Sequence, residues 1–105
     1  MKIKKDKYLR ERGGTAKRID VSCMACSNLI FVYQKDGPGW LKRCYLNRII
    51  SPEKYSELKN KVKKPEEVGN LVCVCGKVIG SPFLYRDGRI TYHLIRGNFK
   101  RSSHK

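Results

Sequence analysis

Apolar positions along this chain fall in short runs separated by glycine-rich turns, the pattern of small β-hairpins. Val21 opens a strand that runs into Cys23-Met24-Ala25-Cys26, and Leu29 to Tyr33 is β-branched and aromatic, as buried strands are. Asp36-Gly37-Pro38-Gly39 makes a turn, after which Trp40 to Leu46 can return antiparallel to the preceding strand. Leu41, Cys44, Tyr45 and Ile49 also fit helical spacing, but the turn directly ahead favours the strand. A helix is predicted over about 52–64. Ser51 is placed to cap it, Pro52 suits its first turn, and Tyr55, Leu58 and Val62 share one face before Pro65 stops it. Leu71 to Val74 then leads into Cys73-Val74-Cys75-Gly76, and Lys77 to Ile79 follows, with a break at Gly80-Ser81-Pro82. Phe83–Arg86 and Arg89–Ile95 flank Asp87-Gly88, the strongest short hairpin signal in the chain.

The two halves echo each other. Each has a close cysteine pair, an apolar strand, a tyrosine shortly before Asp-Gly and a return strand containing tyrosine. A decayed duplication and two hairpins that met the same turn chemistry both account for this.

Charge changes the picture at the ends. The chain carries 24 Lys/Arg against 9 Asp/Glu, a net +15, of which residues 1–20 hold +5, 21–95 hold +6 and 96–105 hold +4. Residues 1–20 read as a basic flexible arm hinged at Gly13-Gly14, and 96–105 as a basic tail. The fold is left to residues 21–95, a body small enough to need a metal or disulfides. No apolar run exceeds Leu29 to Tyr33, so neither a membrane helix nor a signal sequence is expected. The expected location is cytoplasmic, where thiols stay reduced and close cysteine pairs point to metal.

The five cysteines supply the ligands. Cys23 and Cys26 form a C-x-x-C turn that can set both sulfurs on one ion. Cys73 and Cys75 stand too far apart on a straight strand to chelate, so the backbone must bend there, and Gly76 permits it. With these two knuckles the chain resembles the zinc-ribbon class of small hairpin domains, over roughly residues 21–95. It departs from that class in the C-x-C of its second knuckle and in the helical insertion. The resemblance implies a small zinc-stabilised, mainly-β fold with one inserted helix and a single structural zinc ion. Iron in the same four-cysteine site has the same ligands. Cys44 or His93 in place of one ligand also stays open.

No enzyme is expected. Four thiolates leave a metal no open position for water, and His93 and His104 are the only histidines. Cys44 between Lys42, Arg43 and Arg48 has the surroundings of a thiol of depressed pKa, yet no partner for a mechanism lies near it in sequence.

The charge favours a polyanionic partner, nucleic acid ahead of membrane, with RNA preferred over DNA. Cations interleave with aromatics, which suits phosphate contact together with base stacking. The candidate contact residues are Lys4, Lys5, Lys7, Arg10, Arg12, Lys17 and Arg18 in the arm, and Lys42, Arg43, Arg86 and Arg89 in the body. Arg96, Phe99, Lys100 and Arg101 complete the set in the tail, where Phe99 has few apolar neighbours in sequence. Trp40, Tyr45, Tyr85 and Tyr92 suit a β core equally well. The expected function is that of a ribosome- or RNP-associated RNA-binding protein. The competing expectation is an adaptor that docks an acidic protein surface, such as one of the transcription machinery.

Overall fold

Arg18-Ile19-Asp20-Val21-Ser22-Cys23 alternates polar and apolar, and in a strand that alternation sends every second side chain to one face. The computed structural model, which describes residues 3–104, builds β1 from Ala16–Cys23 and buries Ile19, Val21 and Cys23. β2 (Leu29–Asp36) pairs antiparallel with it and is buried at every position from Ile30 to Lys35, so both of its faces are covered. β4 (Ile49–Ser51) lies on the other side of β2, and β8 (Phe99–Ser103) on the other side of β1, giving a sheet of order β4-β2-β1-β8. The second sheet, β3-β7-β6-β5, is made by β3 (Arg43–Tyr45), β5 (Leu71–Val72), β6 (Val78–Leu84) and β7 (Ile90–Leu94). All pairings are antiparallel. One apolar core joins the sheets, with Val21, Phe31 and Tyr33 from the first and Cys44, Leu71, Ile79 and Tyr92 from the second. The mainly-β fold and the hairpin turn at Asp87-Gly88 agree with the sequence reading, but β6 runs unbroken through Gly80-Ser81-Pro82, where Gly80 lets the β7 backbone come close.

The arm and tail boundaries do not hold. Residues 16–20 lie inside β1, and α1 (Lys7–Glu11) precedes them, capped by the Asp6 carboxylate on the amides of Tyr8 and Leu9. The C-terminal stretch pairs with β1 from Cys23↔Phe99 to Ile19↔Ser103, and the His104 ring reaches Asp20 at 2.7 Å. Net charge does not prevent a segment from adding to a sheet edge, because the backbone supplies the hydrogen bonds and lysine and arginine heads stay in water.

Two local expectations also change. Trp40–Leu46 does not return along β2: only Arg43–Tyr45 is strand, and it pairs with β7 in the other sheet. Trp40 stands 80 % exposed. The helical insertion is two short turns, α2 (Glu53–Ser56) and α3 (Leu58–Lys61), that part at Glu57. Ser51 belongs to β4 and caps nothing; Pro52 takes the N-cap position without a side-chain bond. The echo of the halves also ends at topology, because β2 leads through Asp36-Gly37 into the opposite sheet whereas β6 turns at Asp87-Gly88 back along itself.

A buried cation fixes the N-terminal segment. Arg48 is 1 % exposed and its guanidinium contacts two carboxylates, Asp36 at 2.7 Å and Asp6. The hydrogen bonds from Arg48 hold the Asp6 carboxyl down at about 2. Gln34, also buried, bonds the Lys4 backbone through both its amide oxygen and nitrogen. Removing one partner of a buried ion pair leaves the other charge uncompensated, which costs about 3–5 kcal/mol. Asp36→Asn is therefore expected to destabilise the fold by that order in chemical denaturation. Asp6→Asn should cost less, on the order of 1 kcal/mol, since Asp6 is 37 % exposed and solvent screens it.

Candidate metal centre and cationic groove

Both cysteine pairs sit at hairpin tips. At the first, β1 ends at Cys23 and the chain turns back with Ser27 N–H donating to the Cys23 carbonyl at 2.9 Å. Ser27 takes the left-handed conformation that closes this knuckle. At the second, between β5 and β6, the amide of Cys73 donates to the Lys77 carbonyl and that of Gly76 to the Cys73 carbonyl. Gly76 has φ +94°, a conformation that side chains disfavour, and this bend brings Cys73 and Cys75 to one side.

The tips of the two sheets meet there. The sulfurs of Cys23, Cys26, Cys73 and Cys75 all lie within 4.8 Å of one another. Cys23 Sγ is 3.7 Å from Cys75 Sγ, and Cys26 Sγ is 3.4 Å from Cys73 Sγ. These are not disulfides. Four sulfurs ~2.3 Å from a central ion at tetrahedral angles stand about 3.8 Å apart, so the cluster has the dimensions of a four-thiolate site. Two ligands are buried, Cys23 and Cys73, and two exposed, Cys26 and Cys75. The amides of Cys26 and Ala25, with the thiol of Cys75, outweigh burial and hold Cys23 down at about 7. Cys73 receives the Cys75 amide, but burial and hydrogen bonds to the neighbouring thiols push it up to about 12. A bound cation would let all four ionise.

The alternative ligands are elsewhere. Cys44 is fully buried in β3, and burial pushes its thiol up, the reverse of what a nucleophile needs. His93 is exposed in β7, opposite Arg43, with its ring 5.9 Å from that of Phe83.

No family model, no curated protein and no solved structure matches this chain.

The cations fall into three groups. Lys42, Arg96, Lys100 and Arg101 line a groove of about 1150 Å³ together with Trp40, Leu41, Ile95 and Phe99. Arg12, Lys42, Arg43 and Arg89 line a separate cavity of about 300 Å³. Lys4, Lys5, Lys7, Arg10, Lys17, Arg18 and Arg86 are exposed and line neither. Several have internal work: Lys4 Nζ donates to the Asn47 carbonyl at 2.6 Å, and Arg89 pairs with Asp87 at 2.9 Å. Phe99 is half-buried against the core beside Cys23, so its apolar neighbours come from the fold. Trp40 is the aromatic left outside. Its position directly after Asp36-Gly37-Pro38-Gly39 is the sequence signal, because a residue on such a loop has little chance of burial.

The metal assignment predicts that protein purified under reducing conditions holds one metal ion per chain. A strong chelator should unfold it, as followed by circular dichroism. Cys26→Ser or Cys73→Ser should lose the ion, whereas Cys44→Ala should retain it. Cys44→Ser retains the ion too but loses about 1–3 kcal/mol, because a hydroxyl replaces a buried thiol.

Proposed function

We propose that this chain is a small zinc-stapled β protein, similar in its knuckles to zinc ribbons, that binds single-stranded nucleic acid, RNA in preference to DNA. The observation that carries this reading is Trp40, 80 % exposed on the wall of a groove lined by four cations and no carboxylate. An indole in water has a large apolar surface to cover, and unpaired bases stack on such rings. Arg96 lies 5.5 Å over the Trp40 ring, within cation–π range, and Phe99 offers a second ring along the same groove. Lys42, Lys100 and Arg101 are set to meet phosphates. The longest helix among the described residues has five residues, too short to fill a DNA major groove, which favours strands over duplex. RNA is the usual source of unpaired bases splayed for stacking, and hence the preferred partner. Zinc is the metal proposed, since it takes four thiolates tetrahedrally and without redox change.

Trp40 is the only tryptophan, so its fluorescence reports on the groove directly. A short oligouridylate is expected to quench it saturably. About four phosphate contacts on a single strand give a log–log salt slope near −3. Trp40→Ala should weaken binding by ~1–3 kcal/mol at an unchanged slope. An oligouridylate that binds without touching Trp40 fluorescence, or no binding at low salt, would overturn the reading. In the latter case, an acidic protein surface becomes the partner to test.

A further inference from the structure

The loop that carries Trp40 separates two cavities. Gly39, Trp40, Leu41 and Lys42 line both the groove and the smaller cavity of about 300 Å³, at the lower end of the range for small-ligand sites. Five cations face this smaller space: Arg12, Lys35, Lys42, Arg43 and Arg89. Asp36 is its one acid, and the Asp36 oxygens are already engaged, Oδ2 by Arg48 at 2.7 Å and Oδ1 by Gln34 at 2.9 Å.

Three of these cations are built in rather than scattered, while Arg12 and Lys42 are exposed. Lys35 is 6 % exposed, and its ammonium donates to the Gly37 carbonyl at 2.8 Å, leaving two donors free of that bond. Arg43 stacks 4.5 Å over Tyr85 and donates through Nε to the Tyr45 hydroxyl, an arrangement that steadies its guanidinium from the side. Arg89 lies between the rings of Tyr8 and Tyr45, 3.7 Å from each centroid. Burying an ammonium without a carboxylate against it is unfavourable, and an anion in the cavity would relieve it. Burial, followed by the fields of Arg101, Arg12 and Lys17, lowers the Lys35 pKa, and the opposing field of Asp36 does not offset them.

We propose that this cavity is a phosphate-binding site. Resting on the nucleic-acid reading, it would hold a phosphate of the strand whose adjoining base stacks on Trp40, with Lys35 and Arg43 as the principal donors.

The test uses the full, metal-loaded chain and four probes: inorganic phosphate, uridine 5′-monophosphate, and a short oligouridylate with and without a 5′-phosphate. Arginine side-chain NMR signals and calorimetry follow binding. Saturable perturbation of Arg43 by phosphate and by the mononucleotide is expected. Arg43→Gln should weaken both by about tenfold, the loss of one charge-assisted hydrogen bond. Lys61→Gln, the same charge change on α3 and outside both cavities, should leave both unchanged. Lys35→Met should act like Arg43→Gln if it folds, and Arg43→Gln decides the matter if it does not. Tighter binding of the 5′-phosphorylated oligonucleotide would identify the source as a chain end, and equal binding an internal phosphodiester. Phosphate that perturbs surface lysines without saturating, or equal losses in Arg43→Gln and Lys61→Gln, would overturn the site. Failure of the pocket with Trp40-dependent RNA binding intact leaves the RNA reading standing. A saturable phosphate site without oligonucleotide binding removes the RNA reading and keeps the pocket.

Discussion

The two sheets are tied where their hairpin tips bring four sulfurs together. The chain passes between the sheets four times, after β2, β3, β4 and β7, and the β1–β8 pairing joins residues about eighty positions apart. Such pairings must meet the entropy of long loop closure before any contact repays it. The second knuckle is the weak point, since β5, at the edge of the second sheet, brings only two residues to the ribbon it forms with β6. An ion held by Cys23 and Cys26 on one side and Cys73 and Cys75 on the other would fix that ribbon against the first sheet. Metal affinity then becomes part of folding free energy. The alternative, four thiols at 3.4 Å and 3.7 Å contacts, has only weak S–H hydrogen bonds to hold it.

Arg48 performs a related task away from the sulfurs. It lies between β3 and β4 and draws in Asp6 from the N-terminal segment and Asp36 from the end of β2. A strongly basic chain has few carboxylates to spend on neutralising a buried guanidinium, and two of its nine go to this one. The cavity beside it consequently keeps an excess of positive charge. Gly37 shows how tightly the N-terminal segment is seated, for any Cβ there would stand 2.5 Å from the Arg12 carbonyl.

The sequence makes local chemistry legible and long-range pairing obscure. The hairpin at Asp87-Gly88 and the bend at Gly76 follow from what two or three residues can do, and both are present. The same reasoning picks out Cys23, Cys26, Cys73 and Cys75, which the fold assembles from 47 and 52 positions apart. Lysine and arginine density conceals strands, however. Ala16 to Asp20 pair with Val32 to Asp36 of β2 despite their charge, and Phe99 to Ser103 find their partner, Ile19 to Cys23, only about eighty positions away. The broken helix is similar: Tyr55, Leu58 and Val62 do pack against the core, which rewards burial of that face rather than helical continuity through Glu57. Trp40 was ambiguous for the opposite reason, because hydrophobicity suggests a core and only its loop setting argues against one.

Metal centre and groove are physically joined through β8. Phe99, in the groove wall, is the register partner of the ligand Cys23. The amide of Met24, inside the first knuckle, donates to the Asn98 carbonyl at 3.0 Å, and Lys100 Nζ donates to Ser27 Oγ at 2.9 Å. A knuckle that loosens on losing its ion would therefore release the segment that carries Phe99, Lys100 and Arg101, three of the groove's side chains. By linkage, a ligand that binds only the ordered groove must in turn tighten the hold on the ion. In this arrangement an ion held at the knuckles would set the affinity of a surface it does not touch, through three backbone and side-chain contacts to one edge strand.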